Sequence, residues 1–198
     1  MLSLLLAALL AAPGVTRQKP LQKAPPPEDG QVDTKNELSD EDVRQQVDAY
    51  LGSIDTPIEA NQWKALGPRA VPMLEGIVTN HDELPTRRAK AIDGLAALGD
   101  KKAPALFTRV AGNDREKINV RFAAVRGLAR VTPRNQATHA LKPILEKAKD
   151  SRVRAVAAEQ IAIRSQGRSC DLVRAQLQRE TGDARGHFGR AKKQCGME

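Results

Sequence analysis

Residues 119–129 read NVRFAAVRGLA, and two related stretches flank them: TRRAKAIDGLAALGD at 86–100 and DSRVRAVAAEQIA at 150–162. Each stretch has an arginine at position i and apolar residues at i+3, i+4 and i+7, a spacing that places the apolar residues on one face of an α-helix. Equivalent residues are 33 positions apart, which is typical of a repeat protein. The equivalent sets are Arg88, Arg121 and Arg154; Ala91, Ala124 and Ala157; Ile92, Val125 and Ala158; and Leu95, Leu128 and Ile161.

A second helical segment precedes each of these helices, at residues 71–78, 103–110 and 137–148. Glycine, proline and turn residues separate the segments, so each repeat reads as a helical hairpin. One short hairpin cannot enclose a core, but stacked hairpins bury their apolar faces against each other. The sequence therefore predicts an all-α fold, a right-handed α-solenoid of about five helical hairpins. Aromatic residues make up only 3% of the chain, which argues against an aromatic-rich β fold.

The first and last hairpins have their own sequence signals. Ser39 with Asp42 resembles a capping box that opens a helix through Leu51, and the sequence TPIE at 56–59 predicts the start of a second helix ending at Gly67. At the other end, helices are predicted at 170–179 and 183–194.

The two cysteines fall at the two ends of this last hairpin. In an antiparallel hairpin the start of the first helix lies beside the end of the second, which brings Cys170 next to Cys195. We expect a disulfide there, stabilising the end of the array by about 3 kcal/mol through a loop of about 26 residues. The alternative is a pair of reduced thiols in a cytosolic protein.

The three stretches quoted above resemble the D-x-x-V-R-x-x-A-A-x-A-L-G signature of HEAT-like repeats of the phycobilisome-lyase type, over about residues 40–195. Arg87 replaces the usual valine, and His187 stands where the last unit would have arginine. The resemblance implies an α-solenoid related to armadillo folds. It implies little about function, because the family contains scaffolds, lyases and iron hydroxylases.

Three segments are predicted along the chain: a secretory signal peptide at 1–14, a flexible proline-rich spacer at 15–38 and the repeat domain at 39–198. The apolar run of the first segment is too short for a membrane span and ends in small residues, although no basic residue precedes it. The alternatives are an uncleaved helix for the first segment and a proline-rich ligand for the second. We expect an exported, periplasmic or secreted protein without an integral membrane span.

Positive charge is concentrated in the C-terminal two-thirds. Residues 1–66 have a net charge of −4 and residues 67–198 a net charge of +12. Several basic residues lie off the apolar stripes and form a candidate binding face for an anionic polymer, either nucleic acid or envelope polysaccharide. They are Arg126, Arg130, Arg164, Arg168, Lys192 and Lys193.

The column of Arg88, Arg121 and Arg154 is open to two interpretations. Three stacked guanidinium groups can follow a row of phosphates or acidic side chains. Alternatively, they form a structural ladder, with their stems in the seams between repeats. Because each arginine lies early in its helix, where the dipole disfavours a cation, the second interpretation requires a preceding acid. We expect Asp82, Asp114 and Asp150, in that order, to supply it.

Residues with catalytic spacing are scarce. The family's iron hydroxylases use His-Glu pairs, which this sequence lacks, and its lyases act on pigment proteins inside photosynthetic cells, which does not fit export. Ser165, His187 and Asp183 could meet only through stacking, and their local sequence is not that of a hydrolase. We therefore expect no enzyme activity, metal or cofactor. The function that fits best is that of a monomeric scaffold or adaptor that binds another protein in the bacterial envelope.

Overall fold

The computed structural model describes residues 38–54 and 56–197, which form ten α-helices and one 3₁₀ helix and contain no β-strand. The predicted signal peptide and all of the predicted spacer except Leu38 lie outside these residues. The helices are α1 (Asp40–Gly52), α2 (Ala60–Ala65), α3 (Ala70–Thr79), α4 (Pro85–Leu98), α5 (Ala103–Gly112), α6 (Ile118–Val131), α7 (Arg134–Lys147), α8 (Ser151–Ser165), α9 (Cys170–Arg179), the 3₁₀ helix (Gly182–Phe188) and α10 (Gly189–Gln194).

The predicted stack of helical hairpins is confirmed. Helices α3 and α4, α5 and α6, and α7 and α8 pack as three successive pairs, while α4, α6 and α8 lie side by side in that order. The apolar stripes of these three second helices are buried, each of their stripe residues being at most 1% exposed. One continuous apolar core runs from Val43 in α1 to Ala191 in α10. The described residues thus form an all-α solenoid in which each pair packs on its neighbours.

Two helical glycines allow close packing between neighbouring helices. Gly94 and Gly127 hold the same repeat position in α4 and α6. A Cβ atom at Gly94 would lie 3.0 Å from the ring of Trp63, and one at Gly127 would lie 3.0 Å from both Ile92 and Phe107. Since both sites face fully packed side chains, the missing Cβ lets the helices approach each other.

The N-terminal pair differs from its prediction in the second helix. The Ser39–Asp42 capping box opens α1 as expected. The N-cap of α2, however, is Glu59 rather than Thr56, because the side chain of Gln62 accepts the N–H of Glu59 at 2.8 Å and fixes the helix start there. Residues 56–59, like Ser53 and Ile54, are not helical. The predicted start at Thr56 was therefore wrong by one helical turn.

The C-terminal pair consists of α9 followed by a 3₁₀ helix and the short α10, where one helix was predicted over 183–194. Gly182, Gly186 and Gly189 lie in or at the end of the 3₁₀ segment, and glycine disfavours a continuous α-helix. Cys170 at the start of α9 and Cys195 after α10 form a disulfide, with their Cα atoms 5.6 Å apart. The structure thus contains the disulfide that the hairpin geometry predicted.

We predict that Gly94→Ala and Gly127→Ala each lower the free energy of unfolding by about 1–2 kcal/mol, because overpacking outweighs the better helix propensity of alanine. Gly76→Ala in α3 is the matched control, since nothing lies within 4 Å of its added Cβ. This control should gain up to about 1 kcal/mol. Urea denaturation of the three variants measures the effect, and equal stability gains at all three sites would contradict the packing argument.

Candidate functional site

The three column arginines reach the carboxyl ends of the preceding helices. Arg88 donates from Nε and Nη2 to the Val78 carbonyl in the last turn of α3, at 3.0 and 2.9 Å. Arg121 donates from Nε alone to the Ala111 carbonyl of α5, at 3.0 Å. Carbonyl groups at a helix C-terminus carry partial negative charge. Each guanidinium is therefore stabilised by the dipole of the neighbouring helix, an effect that the position of the arginine in its own helix does not reveal.

Arg154 of α8, the third arginine of the column, contacts the end of α7. Its Nη1 donates to the carbonyls of Ala148 and Lys149, at 2.7 and 2.8 Å. Arg88 and Arg121 are 2% and 3% exposed, and the Arg154 side chain is 17% exposed. This burial leaves little guanidinium surface for an external ligand. It therefore supports the interpretation of the three arginines as a structural ladder, although their role stays a prediction.

Two of the three predicted acidic partners were wrong. Arg88 forms a two-pronged ion pair with Glu116, at 2.8 and 2.6 Å, and not with Asp82. Arg154 pairs in the same way with Glu180, at 2.6 and 2.5 Å, and not with Asp150. Both glutamates belong to the connection of the following hairpin, which stacking places over the guanidinium. The ion pairs therefore link successive hairpins instead of closing one.

Asp150 has a different role, and Asp114 is where it was expected. Asp150 caps α8 by accepting the N–H of Arg152 and also pairs with the Arg152 side chain, at 2.6 Å. The hydrogen bond from that side chain is the main reason why the pKa of Asp150 falls to about 2. Arg121 forms an ion pair with Asp114 at 2.9 Å, within its own hairpin.

Both hairpin-linking glutamates have lowered pKa values. Burial is the largest influence on Glu116 and opposes its ionisation. Hydrogen bonds from Arg88 and the Lys117 N–H, with the charges of Arg88 and His81, together outweigh it and lower the pKa. For Glu180 the hydrogen bond from Arg154 is the largest influence and lowers the pKa against the opposing effect of burial.

The link between hairpins is interrupted in the middle of the array. Lys149 lies 33 residues after Glu116 and takes its place in the next connection. The Lys149 ammonium is exposed and lies 3.9 Å from Asp114, the acid that also pairs with Arg121. Two cations thus share one carboxylate at this junction, which lacks the buried carboxylate of the other two.

The predicted basic face is not one uniform patch. On α6, Arg126 is exposed, whereas Arg130 pairs with Asp93 of α4 at 3.2 Å. Asp93, Arg126 and Glu159 hold the same repeat position in α4, α6 and α8, so charges of alternating sign occur along this row. All three side chains are partly or fully exposed to solvent.

The other four predicted binding residues lie at the C-terminal end of α8 and on α10. Arg164 is half-buried and donates to the Thr132 carbonyl that caps α6, at 2.9 Å. Arg168 donates to the Ser165 carbonyl at the end of α8, at 3.2 Å. Lys192 and Lys193, in the last turn of α10, form no ion pair with a described residue. Two of these four cations therefore contact helix ends, and a binding role for the set stays a prediction.

His81 and His187 contact neighbouring side chains, those of Glu116 and Ser151, in separate parts of the array. His187 Nδ1 lies 2.9 Å from the Ser151 hydroxyl at the start of α8, while Ser165 is at the opposite end of that helix. Stacking therefore does not bring Ser165 to His187. The contact with Ser151 could not be predicted, because a separation of 36 positions does not match the repeat spacing of 33. The described residues hold no group of three or more His, Cys, Asp or Glu side chains placed to bind a metal ion.

Comparison with known proteins identifies the repeat. Residues 72–162 match the family model for HEAT repeats, a range that begins in α3 and ends in α8 and so covers the three regular helical pairs. No curated protein and no solved structure shows a significant match to the chain. None of the described helices is both long and apolar enough to cross a membrane.

We predict that acidification destabilises the protein through Glu116 and Glu180. A carboxylate with a lowered pKa in the folded state contributes stability above its unfolded pKa, about 4.3, and loses this contribution as the pH falls through the folded value. Denaturation across about pH 7 to 3 should show falling stability, and Glu116→Gln should flatten the curve and cost about 3 kcal/mol at pH 7. Glu146→Gln, at an exposed site, is the control. An unchanged curve for Glu116→Gln would contradict the assignment.

We also predict that Lys149→Glu stabilises the array by about 1 kcal/mol, because it removes a competing cation and adds a carboxylate near Arg121. Thermal denaturation at low salt is the measurement. Lys147→Glu makes the same charge change in the last turn of α7, where the dipole favours a cation, and should be neutral or slightly destabilising. A similar gain in both variants would indicate a general charge effect instead.

Proposed function

We propose that this HEAT-like repeat protein is an exported, non-enzymatic scaffold that binds another protein in the bacterial envelope. HEAT repeats are generally protein-interaction scaffolds, and enzymatic members of the family are not typical. The observation that carries the proposal is the row of second helices α4, α6 and α8. These helices lie side by side and present exposed charged residues of both signs at one shared position.

The mixed charge of this row favours a protein partner over a polyanion. Asp93 and Glu159 flank Arg126, so a phosphate backbone laid across the row would meet two carboxylates. A protein surface can match alternating charges, and such complementarity sets specificity and orientation. The internal contacts of Arg130, Arg164 and Arg168 reduce the positive charge available to a polymer further.

Export is supported by two features of the chain. The Cys170–Cys195 disulfide is of the kind that persists in oxidising compartments. The apolar segment 1–14, outside the described residues, fits a secretory signal in length and in its small terminal residues. The alternative function, binding of an anionic polymer, rests on the net charge of +12 over residues 67–198.

Capture from native cells tests the proposal. The full chain, tagged at its C-terminus and expressed in its own cells, is cross-linked in intact envelopes and purified, and its intact mass is measured before and after reduction. We expect loss of residues 1–14, a mass gain of two hydrogens on reduction, and a cross-linked protein partner that also co-purifies without cross-linker as salt rises from about 50 to 200 mM.

Two outcomes would contradict this proposal. A full-length bait with free thiols would rule out export. Binding to single-stranded DNA or to an acidic polysaccharide that weakens steeply over the same salt range, without a protein partner, would favour the polymer alternative. The matched variant replaces Arg126, Lys192 and Lys193 by glutamine. It should retain the protein partner under the scaffold proposal and lose polymer binding under the alternative.

A further inference from the structure

Helix α2, the second helix of the N-terminal hairpin, is shortened at its N-terminal end. Helix α2 has 6 residues, whereas α4, α6 and α8 have 14, 14 and 15. The chain leaves α2 and α4 in the same way, through Gly67 and Gly99, both with a φ of +69°. The C-terminal ends of the two helices therefore correspond, and the missing turns are those that would lie beside the first half of α4.

A groove of 780 Å³ occupies the place of the missing turns. It lies between the loop after α1 and the first turns of α4. Its lining includes Ile54 and Leu84, which are 83% and 61% exposed and are the two most exposed large apolar side chains among the described residues. Two such side chains beside one groove form an apolar surface of the kind that partners cover.

Helix α4 also differs from its repeat equivalents at this groove. Where α6 and α8 have Val120 and Val153, both completely buried, α4 has Arg87. Where α6 has the buried Ala123, α4 has Lys90. Positions that the inner repeats use for apolar packing thus carry half-buried cations at the end of the array.

Of these two cations, only Lys90 adds an unpaired positive charge to the groove. Arg87 shares its charge with Asp48 and Glu83, at 2.8 and 3.0 Å. The Lys90 ammonium donates to the Ser53 carbonyl at the end of α1 and forms no ion pair with any described carboxylate. A carbonyl partner leaves the ammonium charge uncompensated. The groove lining therefore combines apolar side chains with one ammonium group, that of Lys90, whose charge no described carboxylate compensates.

We infer that this groove, lined by Ile54, Leu84, Arg87 and Lys90, binds an amphipathic helix of the partner protein whose apolar residues are flanked by carboxylates. The inference rests on the proposed scaffold function and names the binding site and the partner's chemistry. A helix suits the site because it would extend the row of α4, α6 and α8 by the turns that α2 lacks. Apolar residues at i, i+3 or i+4, and i+7 would pack between Ile54 and Leu84, with carboxylates facing Lys90.

Fluorescence anisotropy with a designed peptide tests the inference. The probe is a labelled helical peptide of about 15 residues, with leucines at i, i+4 and i+7 and glutamates beside them. It should bind the full chain, and the double variant Ile54→Asp/Leu84→Asp should weaken binding at least about tenfold. Both residues are exposed, so the variant should stay folded, which circular dichroism checks. Ile163→Asp, at an exposed apolar residue of α8, is the matched control and should bind within about twofold of wild type.

Reversing the charge tests the role of Lys90. Lys90→Glu should weaken binding of the glutamate peptide and strengthen binding of a peptide in which lysines replace those glutamates. Unfolding of the variant would weaken the binding of both peptides, so it cannot produce this exchange of preference. If the lysine peptide binds the wild-type chain as tightly as the glutamate peptide, the proposed partner chemistry is wrong.

Other occupants of the groove would overturn the inference. A dimer in sedimentation velocity that Ile54→Asp/Leu84→Asp dissociates would assign the groove to a second copy of the chain. A gain in peptide affinity on removal of residues 1–37 would assign it to the chain's own N-terminal segment. If a native partner cross-links equally to wild type and to the double variant, the groove assignment fails while the scaffold function stands. If no partner is captured at all, the proposed function itself fails.

Discussion

The array depends on a cation held between the end of one helix and the acid of the next hairpin. Arg88 and Arg154 each bind a C-terminal carbonyl of the preceding helix and a buried glutamate that follows in the chain. A buried charge is costly unless it is fully paired. The pairing is complete only when three successive helices are stacked in register. Arg88 and Arg154 therefore make the stacking at their two junctions specific, while the apolar stripes supply most of the driving force.

The 33-residue period predicts the parts of the fold that each repeat determines for itself. The stripe beginning at Arg88 could be read as a helix face because its spacing is local. The partners of Arg88 and Arg154 could not be identified in this way. Glu116 is 28 residues from Arg88 and Glu180 is 26 residues from Arg154, and only stacking brings them together. Asp82 and Asp150 are closer in sequence, but Asp82 belongs to a turn and Asp150 caps α8.

The sequence departs from the 33-residue period at the ends of the array. The structure of these ends, and with it the function, was the hardest part to predict. The disulfide could be inferred because an antiparallel hairpin places the two cysteines at one end. The start of α2 could not, because TPIE at 56–59 and Glu59 with Gln62 offer competing N-terminal signals. The later signal removes one helical turn from α2 and so contributes to the shortening of α2 beside the groove at Leu84. A short local competition thus changes how far α2 extends at this end of the solenoid.

Net charge overstates the capacity of this surface to bind anions. A chain with +12 over its repeats looks like a polyanion binder. Yet the column arginines are buried, Arg164 and Arg168 contact carbonyls at helix ends, and Arg130 pairs with Asp93. In an α-solenoid every hairpin adds carbonyl-rich helix ends, and cations that bind those ends are part of the fold. The charge that remains for recognition is therefore local, and at the groove it lies beside exposed apolar side chains, a combination that suits an acidic amphipathic helix.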